Sequence, residues 1–341
     1  MPQVIALGDI NLDIVAHMAH YPPLGREAIA SQCCLRLGGS AANTALALAC
    51  CGIETAIIGR VGADPFGTRL LAELCAGGVD VSFVQSDLDM TTGVVFVVVT
   101  PDGERTMFGF RGANVRLDFQ NLPPIQWHMV HHFHLSGYAL LEAPQREVAL
   151  YALDMARGSG VSVSLDAGVV TLRQQNRLIR SLLSKIDLFL PSLDEAELLT
   201  GTRDAEMAVI KLREQGVKAI ALKLGGKGCM VGVEEGNFAV PPFAVEVRDT
   251  TGAGDAFNAG VIAGRLNGLS WRAAALWGNA LGALVAHAGI SKEAIGREAV
   301  VAFLHQSRCQ STWADWQREF DTIIQVLKGG ERDGGMARTV R

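Results

Sequence analysis

Residues 249 to 257 read Asp249-Thr250-Thr251-Gly252-Ala253-Gly254-Asp255-Ala256-Phe257 and open an apolar segment with helical spacing that runs to about Leu266. Gly252, Ala253 and Gly254 carry almost no side chain, so their backbone N–H groups can approach an anion closely. The helix that follows adds its positive N-terminal end at the same place. Asp255 comes next, where a carboxylate can take the proton of a hydroxyl that attacks a γ-phosphate. The pattern points to phosphoryl transfer, with Gly252, Ala253, Gly254 and Asp255 as the catalytic candidates. The same residues also suit a plain Gly-rich turn with Asp255 as a helix cap.

The rest of the chain alternates short apolar, β-branched runs with helical patterns. Val4 to Leu7, Ala56 to Ile58, Met129 to Leu135, Val161 to Leu165, Leu188 to Leu190 and Ala219 to Leu222 read as strands; Ala41 to Cys50, Arg146 to Arg157 and Ala205 to Gln215 read as helices. That alternation predicts βαβ units, a largely parallel sheet covered by helices, and ligands at the carboxyl ends of its strands. Two segments interrupt it. Residues 14–37 are one; residues 90–110 are the other, with Val94 to Val99 and Thr106 to Phe110 flanking Pro101-Asp102-Gly103 as a hairpin.

Composition narrows the function classes. The 341 residues are 49% hydrophobic and 19% charged with a net charge of −5, which fits a compact α/β protein with a substantial core and no disordered bulk. The chain has no Lys/Arg run, so neither nucleic acid nor an anionic membrane is an expected partner. Seven cysteines without a Cys-x-x-Cys spacing, and no basic start or long apolar stretch at the N-terminus, predict a reducing, cytoplasmic location. In the run His128, His131, His132 and His134, residues 131 and 132 fall on opposite strand faces, so these read as core or edge histidines rather than a zinc cluster.

Several polar residues stand out from their surroundings. Asn11 and Asp13 lie two apart after the first strand, on one side of an extended segment, where an amide and a carboxylate suit paired hydroxyls; they also suit a turn. Asn43 is polar in an otherwise apolar helix. The first strand leads into Gly8-Asp9-Ile10-Asn11 and not Gly-x-Gly-x-x-Gly, which disfavours a dinucleotide-dependent oxidoreductase.

The stretch DTTGAGDAFNAG resembles the signature of the ribokinase-like (PfkB-type) carbohydrate kinases. GGSAANTALALACCG, Gly38 to Gly52, followed by IIGRVGADPFG, resembles that family's second signature in the expected order. The similarity runs from about Val4 to Phe303. It implies a ribokinase-like three-layer α/β/α domain with a mainly parallel central sheet plus a small β-sheet lid. Residues 1–13, 38–89 and 111–328 would form the main domain and residues 14–37 and 90–110 the lid, with residues 329–341 a frayed tail. It implies an ATP-dependent sugar kinase with Mg²⁺, a lid-mediated homodimer, and Asp255 as general base. A nucleoside kinase of the same fold and a non-catalytic sugar sensor are the alternatives.

The resemblance also assigns residues. Asn11, Asp13, Gly38, Gly39 and Asn43 would contact the sugar, together with Glu142. Arg111 stands where relatives acting on acid sugars grip a carboxylate, although it also reads as a surface Arg paired with a nearby acid. The family's Asn-x-x-Glu is here Ser192-Leu193-Asp194-Glu195; Glu195 would organise Mg²⁺ through water, and Ser192 otherwise caps a helix. Lys223, Gly225 and Gly228 would cover the nucleotide phosphates, and Asn279 would lie beside adenine or make one buried packing hydrogen bond. Asp249 and Thr251 would help bind a monovalent cation, K⁺ in relatives.

Overall fold

A computed structural model describes residues 1–101 and 105–329. In chain order the elements begin β1 (Val4–Leu7), β2 (Asn11–His17), β3 (Gln32–Gly38), α1 (Ser40–Cys50), β4 (Thr55–Gly62), α2 (Pro65–Ala76), β5 (Val79–Asp80), β6 (Val84–Asp87), β7 (Gly93–Val99) and β8 (Arg105–Phe110). They continue β9 (His132–Ser136), α3 (Gln145–Gly158), β10 (Ser162–Asp166), α4 (Val169–Leu182), β11 (Leu188–Phe189), α5 (Leu193–Thr200), α6 (Ala205–Glu214), β12 (Ala219–Lys223), β13 (Cys229–Val233), β14 (Gly236–Val240), α7 (Ala253–Leu266) and α8 (Trp271–Ala288). Three further helices, α9 (Lys292–Ile295), α10 (Arg297–Ser307) and α11 (Gln317–Leu327), follow.

The main sheet runs β14-β13-β12-β11-β10-β9-β1-β4-β5, with β6 pairing β4. From β12 to β5 the neighbours are parallel, and β13 and β14 continue the edge antiparallel. Alternation along the strands divides the core in two. Val4 and Ala6 face the side covered by α1, α7 and α8, whereas Ile5 and Leu7 face the side covered by α3, α4, α5 and α6. Both faces of β1 are therefore buried, which is why it reads as an unbroken apolar run. His132 and His134 sit inside this sheet on the hydroxyl of Ser164, at 2.7 and 2.8 Å. Burial pushes their imidazoles down to about 3 and about 4, so they stay neutral.

A second, four-stranded sheet, β3-β2-β7-β8, is the small sheet expected as the lid, and is called the lid below. Its first strand begins at Asn11 and not at residue 14, and β3 extends through Gly38, so Asn11, Asp13 and Gly38 belong to lid strands rather than to the main domain. The two polar residues resemble a turn locally, but the backbone ladder Asn11↔Gly38 and Asp13↔Arg36 holds them extended. The turn expected at Asp102 and Gly103, and nearly all of the tail expected at residues 329–341, lie outside the described residues.

Among the described residues no helix is long and apolar enough to cross a membrane. All seven cysteines are free.

Candidate active site

The site lies where the carboxyl ends of β1, β9, β10 and β12 meet the N-termini of α1 and α7 beneath the lid. α7 begins at Ala253, with Gly252 as its N-cap in the left-handed region at φ 77°. A side chain would be strained there, so glycine is what allows the chain to reverse into the helix. Asp249 shapes the approach: its Oδ1 accepts the Thr251 N–H at 2.9 Å and the Thr251 hydroxyl at 2.7 Å. The Ala253 N–H is taken by the Thr250 carbonyl at 3.2 Å. The N–H groups of Gly254 and Asp255 belong to the first helical turn, which has no intrahelical acceptor to offer them.

Asp255 projects from this first turn onto the matching first turn of α1. Ser40 Oγ donates to its Oδ1 and Asn43 Nδ2 to its Oδ2, each at 2.8 Å. The otherwise anomalous Asn43 thus holds a carboxylate, and Ser40 shares the task without having drawn notice in the sequence. Burial, and next the negative charge of Asp166, push the Asp255 carboxyl up to about 6, against the hydrogen bonds from Asn43 and Ser40 and the charge of Lys223. An acid at about 6 is mostly ionised at neutral pH and still a competent proton acceptor.

Lys223, at the end of β12, turns inward. Its Nζ lies 3.2 Å from Asp166 Oδ2 and 3.3 Å from Asn258 Oδ1, and Asn258 Nδ2 donates to the same Asp166 oxygen at 2.7 Å. That brings the amine beside Gly254: a Cβ built there would lie 3.7 Å from it. Glu195 stands nearby as N3 of α5, in a reciprocal capping box with Ser192 in which Ser192 N–H donates to Glu195 Oε2 at 3.1 Å. Burial and the charge of Asp166 push its carboxyl up to about 7. Asp166 is thus a hub that local pattern did not reveal. The available signal was its place at the carboxyl end of a predicted parallel strand.

On the lid side, Asp13 is buried, and its Oδ1 has no hydrogen-bond partner. A Cβ on Gly38 would fall 2.0 Å from that atom, so glycine leaves the carboxylate its room. Burial, and next the charge of Asp255, push Asp13 up to about 7, opposed by Arg36. Asn11 Oδ1 accepts from Asn114 Nδ2 at 2.8 Å. Gly39 is the N-cap of α1. Asp13, Arg36, Asn43, Asp249, Thr251 and Ile290 help line a cleft of about 420 Å³.

Other expected residues are placed differently. Arg111 forks onto Asp9, Nε to Oδ2 at 2.9 Å and Nη2 to Oδ1 at 2.8 Å, and also reaches Glu142 at 3.0 Å and Gln145. Gln145 completes the cage by donating to Asp9 at 2.8 Å. Glu142 is therefore a partner of Arg111, and the guanidinium fork is filled by Asp9, a carboxylate of the chain itself. Asn279 Nδ2 donates to the carbonyls of Val240 and Pro241, at 3.2 and 2.9 Å, which ties β14 to α8. Gly225 lies in an exposed turn and Gly228 ends it, closing on Leu224 through a backbone bond of 2.9 Å.

Comparison with known proteins places the chain in a family. Residues 1–291 match the pfkB family of carbohydrate kinases. The 2-dehydro-3-deoxygluconokinase of Bacillus subtilis is 31% identical over 284 residues, 80% of this chain and 87% of its own length. The aminoimidazole riboside kinase of Salmonella typhimurium is 33% identical over 235 residues, 66% of this chain and 72% of its own. A crystal structure of a putative ribokinase II from E. coli, in complex with ATP and Mg²⁺, superposes with a TM-score of 0.79 at 25% identity, covering 90% of this chain and 100% of that one. The chain belongs to the pfkB family of carbohydrate kinases, phosphotransferases whose acceptor is an alcohol group.

Proposed function

We propose that the protein transfers the γ-phosphate of ATP to a primary hydroxyl of a sugar, with Asp255 as general base. The observation that carries this reading is the Asp255 carboxylate, presented by the first turn of α7, hydrogen-bonded by Ser40 and Asn43, and pushed up to about 6. The acceptor sugar lies between α1 and the lid. Asp13 Oδ1, buried without a donor, takes one hydroxyl proton; Asn11 orients another. Asp255 Oδ then removes the proton of the attacking hydroxyl. The first-turn N–H groups of Gly254 and Asp255, with Gly252 and Ala253 shaping the turn, stabilise charge on the transferred phosphoryl oxygens. Lys223 adds its positive charge to the same side.

Glu195 and Asp166 are the residues that would hold Mg²⁺ through its water shell. Two buried carboxylates, Asp166 raising the proton affinity of Glu195 and Lys223 supplying the balancing charge, suit an added cation. Mg²⁺ there would neutralise the triphosphate and orient it.

The filled Arg111 fork favours a neutral sugar or a riboside over a sugar acid, since a substrate carboxylate would have to displace Asp9. We also take the homodimer to form through the lid. Strand register places Leu35, Ile14, Phe96 and Phe108 in one row across its outer face. Leu35, Phe96 and Phe108 are 39%, 49% and 50% exposed, more apolar surface in one row than a solvated lid needs.

The test is an ADP-release screen over ribose, fructose, ketodeoxygluconate and adenosine-type ribosides with Mg-ATP, repeated with Asp255→Asn. The expected result is turnover of one neutral acceptor, lost by a factor of about 10² to 10⁴ in the variant. Turnover by a folded Asp255→Asn at the wild-type rate removes the base assignment. Nucleotide binding without ADP release on any acceptor favours the sensor instead.

A further inference from the structure

Asp249 and Thr251 do not fit the monovalent-cation site expected of them. Arg36 Nη1, from β3, lies 2.5 Å from Asp249 Oδ2. Arg105 Nη1, from β8, donates to Thr251 Oγ1 at 3.0 Å and lies 3.9 Å from Asp249 Oδ1. The other Asp249 oxygen already serves the Thr251 N–H and hydroxyl. The Ala286 carbonyl, at the back of the same turn, accepts the N–H groups of Arg248 at 2.8 Å and Asp249 at 3.2 Å. Burial pushes the Asp249 carboxyl up, but the hydrogen bonds from Thr251 and the contact with Arg36 outweigh it and hold the group below its ordinary value. A small cation placed here would meet two guanidinium groups and find the Asp249 carboxylate and the Thr251 hydroxyl already engaged.

Both arginines come from the lid, and from one face of it. Asp13 pairs with Arg36 and with Val95, Val95 pairs with Gly109, and Arg105 is four residues from Gly109 along β8, so the two-residue period turns Arg36, Asp13 and Arg105 the same way. The turn they hold is the one that leads into Gly252 and Asp255. We propose that Arg36 and Arg105 are positioning residues that supply from the lid the positive charge this turn requires. The turn into α7 is then set by lid docking, and turnover is independent of monovalent cations. The proposal rests on the kinase reading above, which it deepens.

The experiment uses the full-length protein freed of K⁺ and Na⁺. Melting temperature and kcat/KM with Mg-ATP and the accepted sugar are compared in KCl and in tetramethylammonium chloride at equal ionic strength, because these contacts are screened by salt. For the wild type the melting temperature is the same in both salts and kcat/KM stays the same within about a factor of two. Arg36→Ala loses kcat/KM about tenfold or more in tetramethylammonium, the scale of a lost charge-assisted hydrogen bond, and K⁺ restores part of the rate and raises its melting temperature. Arg36→Lys keeps the charge and most of the rate. Wild-type activation by K⁺ of about tenfold or more overturns the proposal, as does an Arg36→Ala protein that matches the wild type in both salts. If Arg36→Ala does not fold, Arg105→Ala, which removes the Thr251 hydrogen bond and the longer Asp249 contact but leaves Arg36 in place, carries the same comparison. If no acceptor is turned over, the kinase reading fails while the melting temperatures still decide this one.

Discussion

Two aspartates bracket the cleft, Asp9 buried and Asp255 half-buried, and they are treated in opposite ways. Asp9, just past the end of β1, is clamped by the Arg111 fork and by Gln145, so its charge is fully matched. Asp255, at the start of α7, has hydroxyl and amide partners but no guanidinium, and the nearby Asp166 pushes it further toward protonation. A matched carboxylate is inert scaffold. One kept ionised by hydrogen bonds, a helix N-terminus and the nearby Lys223 charge, with no guanidinium clamp, retains proton affinity for use.

Removing one partner of the matched pair has the largest expected effect on stability. Asp9→Asn or Arg111→Ala leaves the other charge buried without compensation, a cost of about 3 to 5 kcal/mol, read from denaturant unfolding. A change below about 1 kcal/mol, the range of exposed pairs, would make the clamp a surface contact.

Asp255→Asn should move stability the other way. A carboxyl whose proton affinity rises on folding makes its ionised form costly to the folded state. The cost is absent below the ordinary value of 3.8 and grows as pH rises through about 6. At pH 7.5 the variant should therefore be more stable by at most about 3 kcal/mol, with the advantage gone by about pH 4. A lower melting temperature than wild type at pH 7.5 would mean that Asp255 is matched after all.

Asp166→Asn has a smaller and more selective consequence. Asp255 faces Asp166 from β10 and Lys223 from β12, Ser40 and Asn43 from α1, and Asp13 from β2. Loss of the Asp166 charge lowers the Asp255 carboxyl, so the acid limb of kcat/KM should move to lower pH. An unmoved limb would separate Asp166 from the base. The least effect on the fold is expected from Phe108→Ser on the outer face of the lid, within about 0.5 kcal/mol for the monomer. Sedimentation should nevertheless show a weaker dimer, and a protein that is monomeric at all concentrations before substitution removes the lid contact.

Much of this was legible in sequence because its causes are local. The turn at 249–257, the α1 segment and the β-branched runs of the main sheet each carry their own periodicity, and the structure places strands and helices within a few residues of those patterns. Asn43 stood out as a lone polar residue in an apolar helix, and in the structure it donates to the Asp255 carboxylate. What stayed hidden is pairing across long separations. Arg111 meets Asp9 across 102 residues and Arg36 meets Asp249 across 213. No spacing rule reports which of several acids a guanidinium will find, so Arg111 read equally as a substrate anchor or a paired Arg. Asn11 and Asp13 read as one side of an extended segment or as a turn, and the β2–β3 ladder shows the extended form; that they join the second sheet depends on pairing with distant strands.

The most direct measurement is the pH dependence of kcat/KM with the accepted sugar from pH 5 to 8, taken for the wild type and for Asp255→Asn. The unmatched carboxylate predicts a wild-type acid limb near 6 and, in the variant, a residual rate lower by about 10² or more without that limb. A wild-type rate flat across this range, or a variant that keeps both the rate and the limb, would contradict it.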